Sequence, residues 1–304
     1  MKVLVTGAGG QLGSDLVAAF AGDVAPGGRR RDLLGPEGPG PGNEVIGLDH
    51  GALAVEDRDA VLTAVAATAP DVVVHAGAYT AVDACESDPD KAFAVNALGT
   101  RHVAEASALA GAHLVYVSTD YVFDGSSTRP YVEWDAPNPL SVYGRSKLGG
   151  ELECPPGSTI VRTSWVCGAR GSNMVRTALR LASGDGPLRF VDDQHGSPTF
   201  TADLASAVVT LALDRRPGTF HVTNQGATTW YGFVRAVVEL AGGDPSRVEP
   251  IATADLDPPR PAPRPVNSVL DNAALRLSGL PLLPEWQDGL ARLVRELAAV
   301  GSAT

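Results

Sequence analysis

Lys2-Val3-Leu4-Val5-Thr6-Gly7-Ala8-Gly9-Gly10-Gln11-Leu12-Gly13 is the stretch whose reading sets the architecture. Its first five residues read as a buried strand, and residues 11–21 as a helix with Leu12, Leu16 and Ala19 on one face. Between and into them run Gly7, Gly10 and Gly13, in a GxxGxxG spacing. A chain that turns sharply, approaches a pyrophosphate and packs its helix back on the strand has no room for a Cβ at those places. The helix start offers unpaired N–H groups and a positive dipole end to phosphate. A glycine string alone is weak, and a tight turn without a ligand stays open as its alternative. Opening a strand–turn–helix unit, it points to a dinucleotide held by Gly7, Gly10, Gln11, Leu12 and Gly13.

Outward from this unit the first half alternates. Strands are expected at 44–49, 71–75, 113–118 and 158–163, with an alanine-rich helix over 92–110 and another over 141–153. Short strands separated by long helices require right-handed crossovers and a parallel sheet. The predicted class is α/β: a doubly wound Rossmann parallel sheet over 1–165, followed by a smaller C-terminal α/β substrate lobe over 166–304, some of whose segments return to the Rossmann core. That lobe shows helices near 173–182, 201–213, 231–241 and 285–299, short strands near 188–191 and 219–222, and a proline-rich, extended run over 258–265. The lobe is expected over the carboxyl ends of the sheet strands, where open α/β sheets bind ligands. Residues 25–43 are rich in glycine and proline and contain Arg29-Arg30-Arg31. They read as a surface insertion, either a loop without a role or a basic flap near a phosphate.

Composition narrows the partners. The 304 residues carry 24 Lys+Arg against 35 Asp+Glu, a formal net charge of −11, which argues against nucleic acid. The hydrophobic share of 44% suits a sizeable core. No apolar run approaches the roughly 18 residues that span a bilayer, and no signal-peptide pattern is present, so no membrane partner is expected. Cys85, Cys154 and Cys167 form neither a CxxC nor a disulfide framework, which suits a reducing cytoplasm. The six histidines lack zinc spacing, and no metal is expected.

Two features add chemistry. Asp49 closes the second strand, where a carboxylate accepts from the adenosine ribose hydroxyls and favours NADH. A capping or solvated Asp is the alternative, and the arginine run could offset a 2′-phosphate, so NADPH and NADH both stay open. Tyr143 and Lys147 stand four apart on one helix face. An ammonium beside a phenol favours the phenolate, which makes Tyr143 a candidate general acid for a carbonyl being reduced. An ordinary exposed helix pair is the competing reading. The pair follows the fourth strand, which ends in Ser118-Thr119-Asp120, where a hydroxyl can hold a substrate oxygen.

Taken together, VTGAGGQLG (5–13), AGAYTAVDACE (76–86), STDYVFDG (118–125), YGRSK (143–147), RTSWV (162–166), DDQHGSPT (192–199), Thr229-Trp230-Tyr231 and Arg264-Pro265 with Ser268 resemble the extended short-chain dehydrogenases, and more closely the dTDP-4-dehydrorhamnose reductase family. The resemblance runs over nearly the whole chain apart from 25–43. It implies NAD(P)H-dependent reduction of the C4 ketone of a dTDP-4-keto-6-deoxy-L-sugar, dTDP-4-dehydrorhamnose to dTDP-L-rhamnose or a relative. It implies Thr119, Tyr143 and Lys147 as the catalytic set, with Lys147 also on the nicotinamide ribose, and Ala78, Tyr79 and Thr80 lining the cofactor. Asp120 and Trp165 would face the sugar, although packing alone would also explain Trp165. Arg264 would meet the diphosphate.

Departures from the family pattern are His75, where many relatives carry Asn, and Ala54, where Asp is frequent. Asp15 sits where some relatives build a magnesium-bridged dimer, without convincing partners around Ala202 and Asp203. The expected state is a monomer or homodimer. Other readings are a ketoreductase of an antibiotic deoxysugar, including a dihydrostreptose-type product, a sugar-nucleotide epimerase, and a non-catalytic nucleotide-binding subunit like that of methionine adenosyltransferase.

Overall fold

Alternation along the strands builds two faces at once. In β1 (Lys2–Thr6), Val3 and Val5 point to one side and Leu4 to the other, and in β3 (Val72–His75), Val72 and Val74 oppose Val73; all six are fully buried. Such strands are covered on both faces, which is what a parallel sheet between helices demands. A computed structural model describes residues 1–22 and 43–301 of the chain and carries this pattern through. The insertion expected at 25–43, with its arginine run, lies outside the described residues except for Asn43.

The elements follow in order: β1, α1 (Gln11–Phe20), β2 (Glu44–Leu48), α2 (Arg58–Thr68), β3, α3 (Val82–Ser87), α4 (Pro89–Phe93), α5 (Gly99–Ala110), β4 (His113–Thr119), α6 (Val142–Glu153) and β5 (Thr159–Thr163). Then come β6 (Val166–Cys167), α7 (Met174–Ala182), β7 (Leu188–Val191), β8 (His195–Gly196), β9 (Thr199–Phe200), α8 (Thr201–Leu213), β10 (Gly218–His221), β11 (Thr228–Thr229), α9 (Trp230–Leu240), β12 (Val248–Ile251), α10 (Ala273–Leu277) and α11 (Trp286–Gly301). Six parallel strands form the main sheet in the order β10-β5-β4-β3-β1-β2. The doubly wound α/β class is therefore observed. Helices α1 and α8 cover one face, where Leu12, Leu16, Leu204 and Val208 meet Val3, Val5, Val72 and Val74. Helices α2 and α5 cover the other, where Val61, Val65 and Val103 meet Leu4 and Val73.

Two details depart from the sequence reading. Helix α2 was not anticipated. It is capped by Asp57, which accepts from the Ala60 N–H, and stopped by Ala69 at φ 45°. Its buried side chains are only Val61 and Val65 among alanines, too sparse a stripe to read as a face. The expected single helix over 92–110 is interrupted by a π turn, Ala94–Leu98, between α4 and α5. The strand expected near 219–222 is β10, and it joins the main sheet beside β5 rather than staying with its sequence neighbours. Helix α8 from the same half also packs on that sheet.

A second core gathers α7, α9 and α11, with Val175, Phe233, Val237, Trp286 and Leu290 at its centre. The minor sheets β7–β12, β8–β11 and β6–β9 lie with it. Among the described residues no helix is long and apolar enough to cross a membrane.

Candidate active site

Because β1, β3, β4 and β5 run parallel, the segments that follow them leave the sheet on one side. The Gly7 turn comes first. Gly7 has φ 71°, and a Cβ there would lie 2.6 Å from the Gly77 Cα, so the turn after β1 touches the backbone after β3. A Cβ on Gly13 would overlap the Gly7 carbonyl oxygen. Gly10 donates to the Gly7 carbonyl at 3.0 Å, and the first helical bond of α1 runs from Ser14 N–H to Gly10 at 3.1 Å. The N–H groups of Gln11, Leu12 and Gly13 thus precede the helical ladder and face outward from the helix start. This bare cradle fits a pyrophosphate.

Leu12 itself points its side chain into the core, which leaves only its backbone for a ligand. The Gln11 side chain is engaged within the chain: its Oε1 accepts from Gly168 N–H (3.1 Å) and Asn173 Nδ2 (2.9 Å), and its Nε2 donates to the Ser172 carbonyl (3.1 Å). It straps residues 168–173 to the phosphate turn. Asp49 follows β2, accepts from Ala52 N–H at 2.9 Å and faces Gly9, whose Cβ would lie 3.1 Å from that of Asp49. The capping role is therefore present, and the carboxylate also borders the turn.

Ala78, Tyr79 and Thr80 follow β3. Sequence reasoning missed the residue that holds them. Asn96, turned inward by the π turn, accepts from Tyr79 N–H (2.8 Å), donates to the Tyr79 carbonyl (3.0 Å) and donates to Ser146 Oγ (2.9 Å). It ties the loop after β3 to α6, one residue before Lys147. Nothing in the periodicity of an alanine-rich helix marks such a residue. A lone π turn inside a helix is a frequent device at functional sites.

Strand β4 delivers Thr119, and α6 delivers Tyr143 and Lys147. Thr119 Oγ1 accepts from Tyr121 N–H (3.2 Å) and donates to Asp120 Oδ1 (3.0 Å), while the other Asp120 oxygen is buried without a partner. Burial lifts the Asp120 carboxyl to about 6. The Tyr143 phenol is pushed well above its ordinary value, first by burial, against which a hydrogen bond with Thr119 acts. Lys147 Nζ donates to the Val117 carbonyl at 2.7 Å and lies 4.1 Å from the Tyr116 ring centroid. Burial lowers its ammonium to about 7, with Glu151 opposing. The ammonium is anchored on a carbonyl, and desolvation governs the phenol.

Behind these groups Glu151 pairs with Arg162 through Nε and Nη2 at 2.9 and 2.7 Å, and accepts from Ser118 Oγ at 2.5 Å. This buried clasp locks β4, β5 and α6 together. His75, at the end of β3, pairs Nδ1 with Thr6 Oγ1 at 2.7 Å and is buried and neutral, its pKa lowered to about 3 first by desolvation.

Trp165 comes just after β5, and Arg264 reaches the start of α3. Trp165 adopts φ 45° and stacks on Trp230 with ring centroids 3.6 Å apart, its edge against Gly196. Arg264 makes a two-pronged pair with Asp83 at 2.6 and 2.8 Å. Asp203 is bound by Arg292 and Asn224. Thr119, Asp120, Tyr143 and Lys147 thus gather where the chain leaves β4, and the Gly7 turn and residues 78–80 gather where it leaves β1 and β3.

Comparison with known proteins agrees with this arrangement. Residues 1–299 match the family model described as RmlD substrate binding domain. The dTDP-4-dehydrorhamnose reductase of Streptomyces griseus is 43% identical over 94% of this chain and 91% of its own. A solved dTDP-4-dehydrorhamnose reductase from Clostridium acetobutylicum superposes with a TM-score of 0.87 at 38% identity, covering 98% of this chain and 100% of the other. One from Bacillus anthracis, in complex with NADP, gives 0.84 at 36%, covering 97% and 99%. With the phosphate turn, the Thr–Tyr–Lys group and this full-length match in hand, the chain belongs to the dTDP-4-dehydrorhamnose reductase family.

Proposed function

We propose that this protein reduces the C4 ketone of a dTDP-4-keto-6-deoxy-L-sugar, converting dTDP-4-dehydrorhamnose to dTDP-L-rhamnose with NADPH or NADH. The observation that supports the reading is that Thr119, Tyr143 and Lys147 gather after β4, on the same carboxyl side of the parallel sheet as the glycine turn after β1. Gly7, Gly10, Gly13 and the N–H groups of Gln11 and Leu12 hold the pyrophosphate, Asp49 the adenosine side, and Ala78, Tyr79 and Thr80 the nicotinamide side. Residues 1–165 serve mainly the dinucleotide and 166–304 mainly the sugar nucleotide, with α8 and β10 returning to the first core.

When bound, the nicotinamide supplies a hydride to the sugar C4. The chain supplies the rest. Thr119 Oγ1 orients the ketone oxygen, and Tyr143, kept protonated by burial, donates its phenolic proton to that oxygen as negative charge builds there. Lys147, fixed on the Val117 carbonyl, holds the nicotinamide ribose and places a positive charge beside the phenolate that results. Asp120 accepts from a sugar hydroxyl, Trp165 packs on the sugar, and Arg264 meets the diphosphate. The enzyme works as a monomer or homodimer in the cytoplasm.

The test is to incubate the protein with dTDP-4-keto-6-deoxyglucose, a 3,5-epimerase and each cofactor in turn, and to identify the sugar. Stoichiometric cofactor oxidation with dTDP-L-rhamnose as product supports the reading. A sugar epimerised without net cofactor oxidation overturns it.

A further inference from the structure

Arg264 is already paired within the chain, and the way it is paired is informative. Nη1 and Nη2 donate to the two oxygens of Asp83 at 2.6 and 2.8 Å, and Nη1 also donates to the Ala262 carbonyl at 2.7 Å. Asp83 accepts a further bond from Ala262 N–H at 3.1 Å, and Arg260 Nη1 stands 3.7 Å from it. These donors hold the carboxyl below its ordinary range, Arg264 first. A carboxylate so well satisfied does not readily yield its guanidinium to an incoming anion.

It does not need to. A guanidinium has five N–H groups in a planar fork, and the end-on grip of Asp83 uses three directions with Ala262. The Nε–Nη2 edge is a second fork. Elsewhere in this chain that same edge takes a carboxylate, from Arg162 to Glu151 and from Arg58 to Glu105. The Tyr121 side chain neighbours the Arg264 guanidinium, and its ring meets the Tyr143 ring edge-on at 5.5 Å between centroids. One aromatic ring therefore separates the guanidinium from the phenol assigned as acid. Two cations, Arg260 and Arg264, meet the single carboxylate of Asp83 on a chain of net −11, which suits an anionic ligand here.

We propose that Asp83 is a positioning residue for the substrate: it grips the end of the Arg264 guanidinium and presents the Nε–Nη2 edge to the diphosphate of the nucleotide sugar, with Arg260 adding a second positive charge. This rests on the reading of the site as that of a dTDP-sugar reductase. A purely structural clasp and a competing anion are the two alternatives.

The test titrates the full chain, saturated with NADPH, with dTDP and with thymidine, for wild type, Asp83→Asn, Arg264→Lys and the double variant. Asp83→Asn is expected to raise the dTDP Kd about tenfold or more, the loss of one charge-assisted hydrogen bond, while changing the thymidine Kd less than about twofold. KM for the keto sugar rises more than kcat falls. Arg264→Lys loses a similar amount, and the double variant little beyond either, because both remove one fork. Equal weakening of dTDP and thymidine makes Asp83 structural and overturns the proposal. So does unchanged or tighter dTDP binding by Asp83→Asn, which makes the carboxylate inert or a competitor. Unchanged dTDP binding by Arg264→Lys overturns it by another route, since the diphosphate role of Arg264 itself then fails. Absence of dTDP binding by the wild type sinks the reductase reading and the proposal together.

Discussion

Tyr143 illustrates how one side chain is prepared by its surroundings. Its phenol is buried and held protonated, with Thr119 as hydroxyl partner and Tyr121 against its ring. Tyr143→Phe removes only the hydroxyl, so kcat should fall at least about a hundredfold, the usual contribution of a general acid, while NADPH affinity and Tm stay near wild type. Stopped-flow cofactor oxidation checks this; a variant keeping more than about a tenth of kcat takes Tyr143 out of the acid role. Gly13 is a second single-residue case. A Cβ there overlaps the Gly7 carbonyl, so the turn must shift. Gly13→Ala should destabilise the fold by about 1–3 kcal/mol and cost most of the cofactor affinity, measured by urea unfolding and NADPH fluorescence titration. Both residues were legible in the sequence because their chemistry is local: a phenol four residues from an ammonium, and a glycine in a turn. What the sequence could not convey is that Lys147 turns onto the Val117 carbonyl, a contact across 30 residues.

Between elements, the clasp of Glu151 with Arg162 and Ser118 joins α6 to β4 and β5. Arg162 and Glu151 side chains are only 6% and 5% exposed, so removing one leaves the other charged and buried. Glu151→Ala should cost about 3–5 kcal/mol, seen as a drop in urea midpoint, whereas an exposed pair such as Arg189–Glu249 should cost under about 1 kcal/mol. Gln11 joins α1 to residues 168–173. Gln11→Ala should raise cofactor KM several-fold and speed hydrogen exchange of that segment, with β1 exchange unchanged; equal exchange in variant and wild type would show that the strap is idle. Asn96 has a comparable part, and it escaped the sequence reading because the π turn that directs it inward has no side-chain signature.

Over the whole molecule, buried titrating groups set the dependence of stability on pH. His75 has a folded pKa of about 3 against an ordinary 6.5, so below 6.5 the unfolded chain takes up a proton that the folded one refuses. Stability therefore falls as pH drops from about 6.5 toward 3. Asp120, raised to about 6, binds its proton in the folded state first and opposes that loss between about 6 and 3.8. Lys147, lowered to about 7, makes stability rise as pH climbs from about 7 toward 10.5. Replacing His75 by Asn should flatten the acid limb, with roughly 2 kcal/mol less loss between pH 6.5 and 4.5, read from urea unfolding at both pH values. An unchanged slope would show that the imidazole gains its proton while folded.

Short-range patterning was enough for much of this protein. Buried valine runs, glycines spaced for a tight turn and the Tyr143–Lys147 spacing are dictated within a few residues, so the parallel sheet, the turn after β1 and the placing of Tyr143 and Lys147 on one helix follow from the chain read alone. Tertiary structure decided what depends on distant partners. Helix α2 shows too thin an apolar stripe to be read. Strand β10 and helix α8 leave their sequence neighbours for the first core. Gln11 and Asn96 find partners more than a dozen residues away, and Asp83 meets Arg264 across 181 residues. The reason is physical: a local pattern reports which face a residue turns toward the core, but only packing at close range determines which polar group waits there to satisfy it.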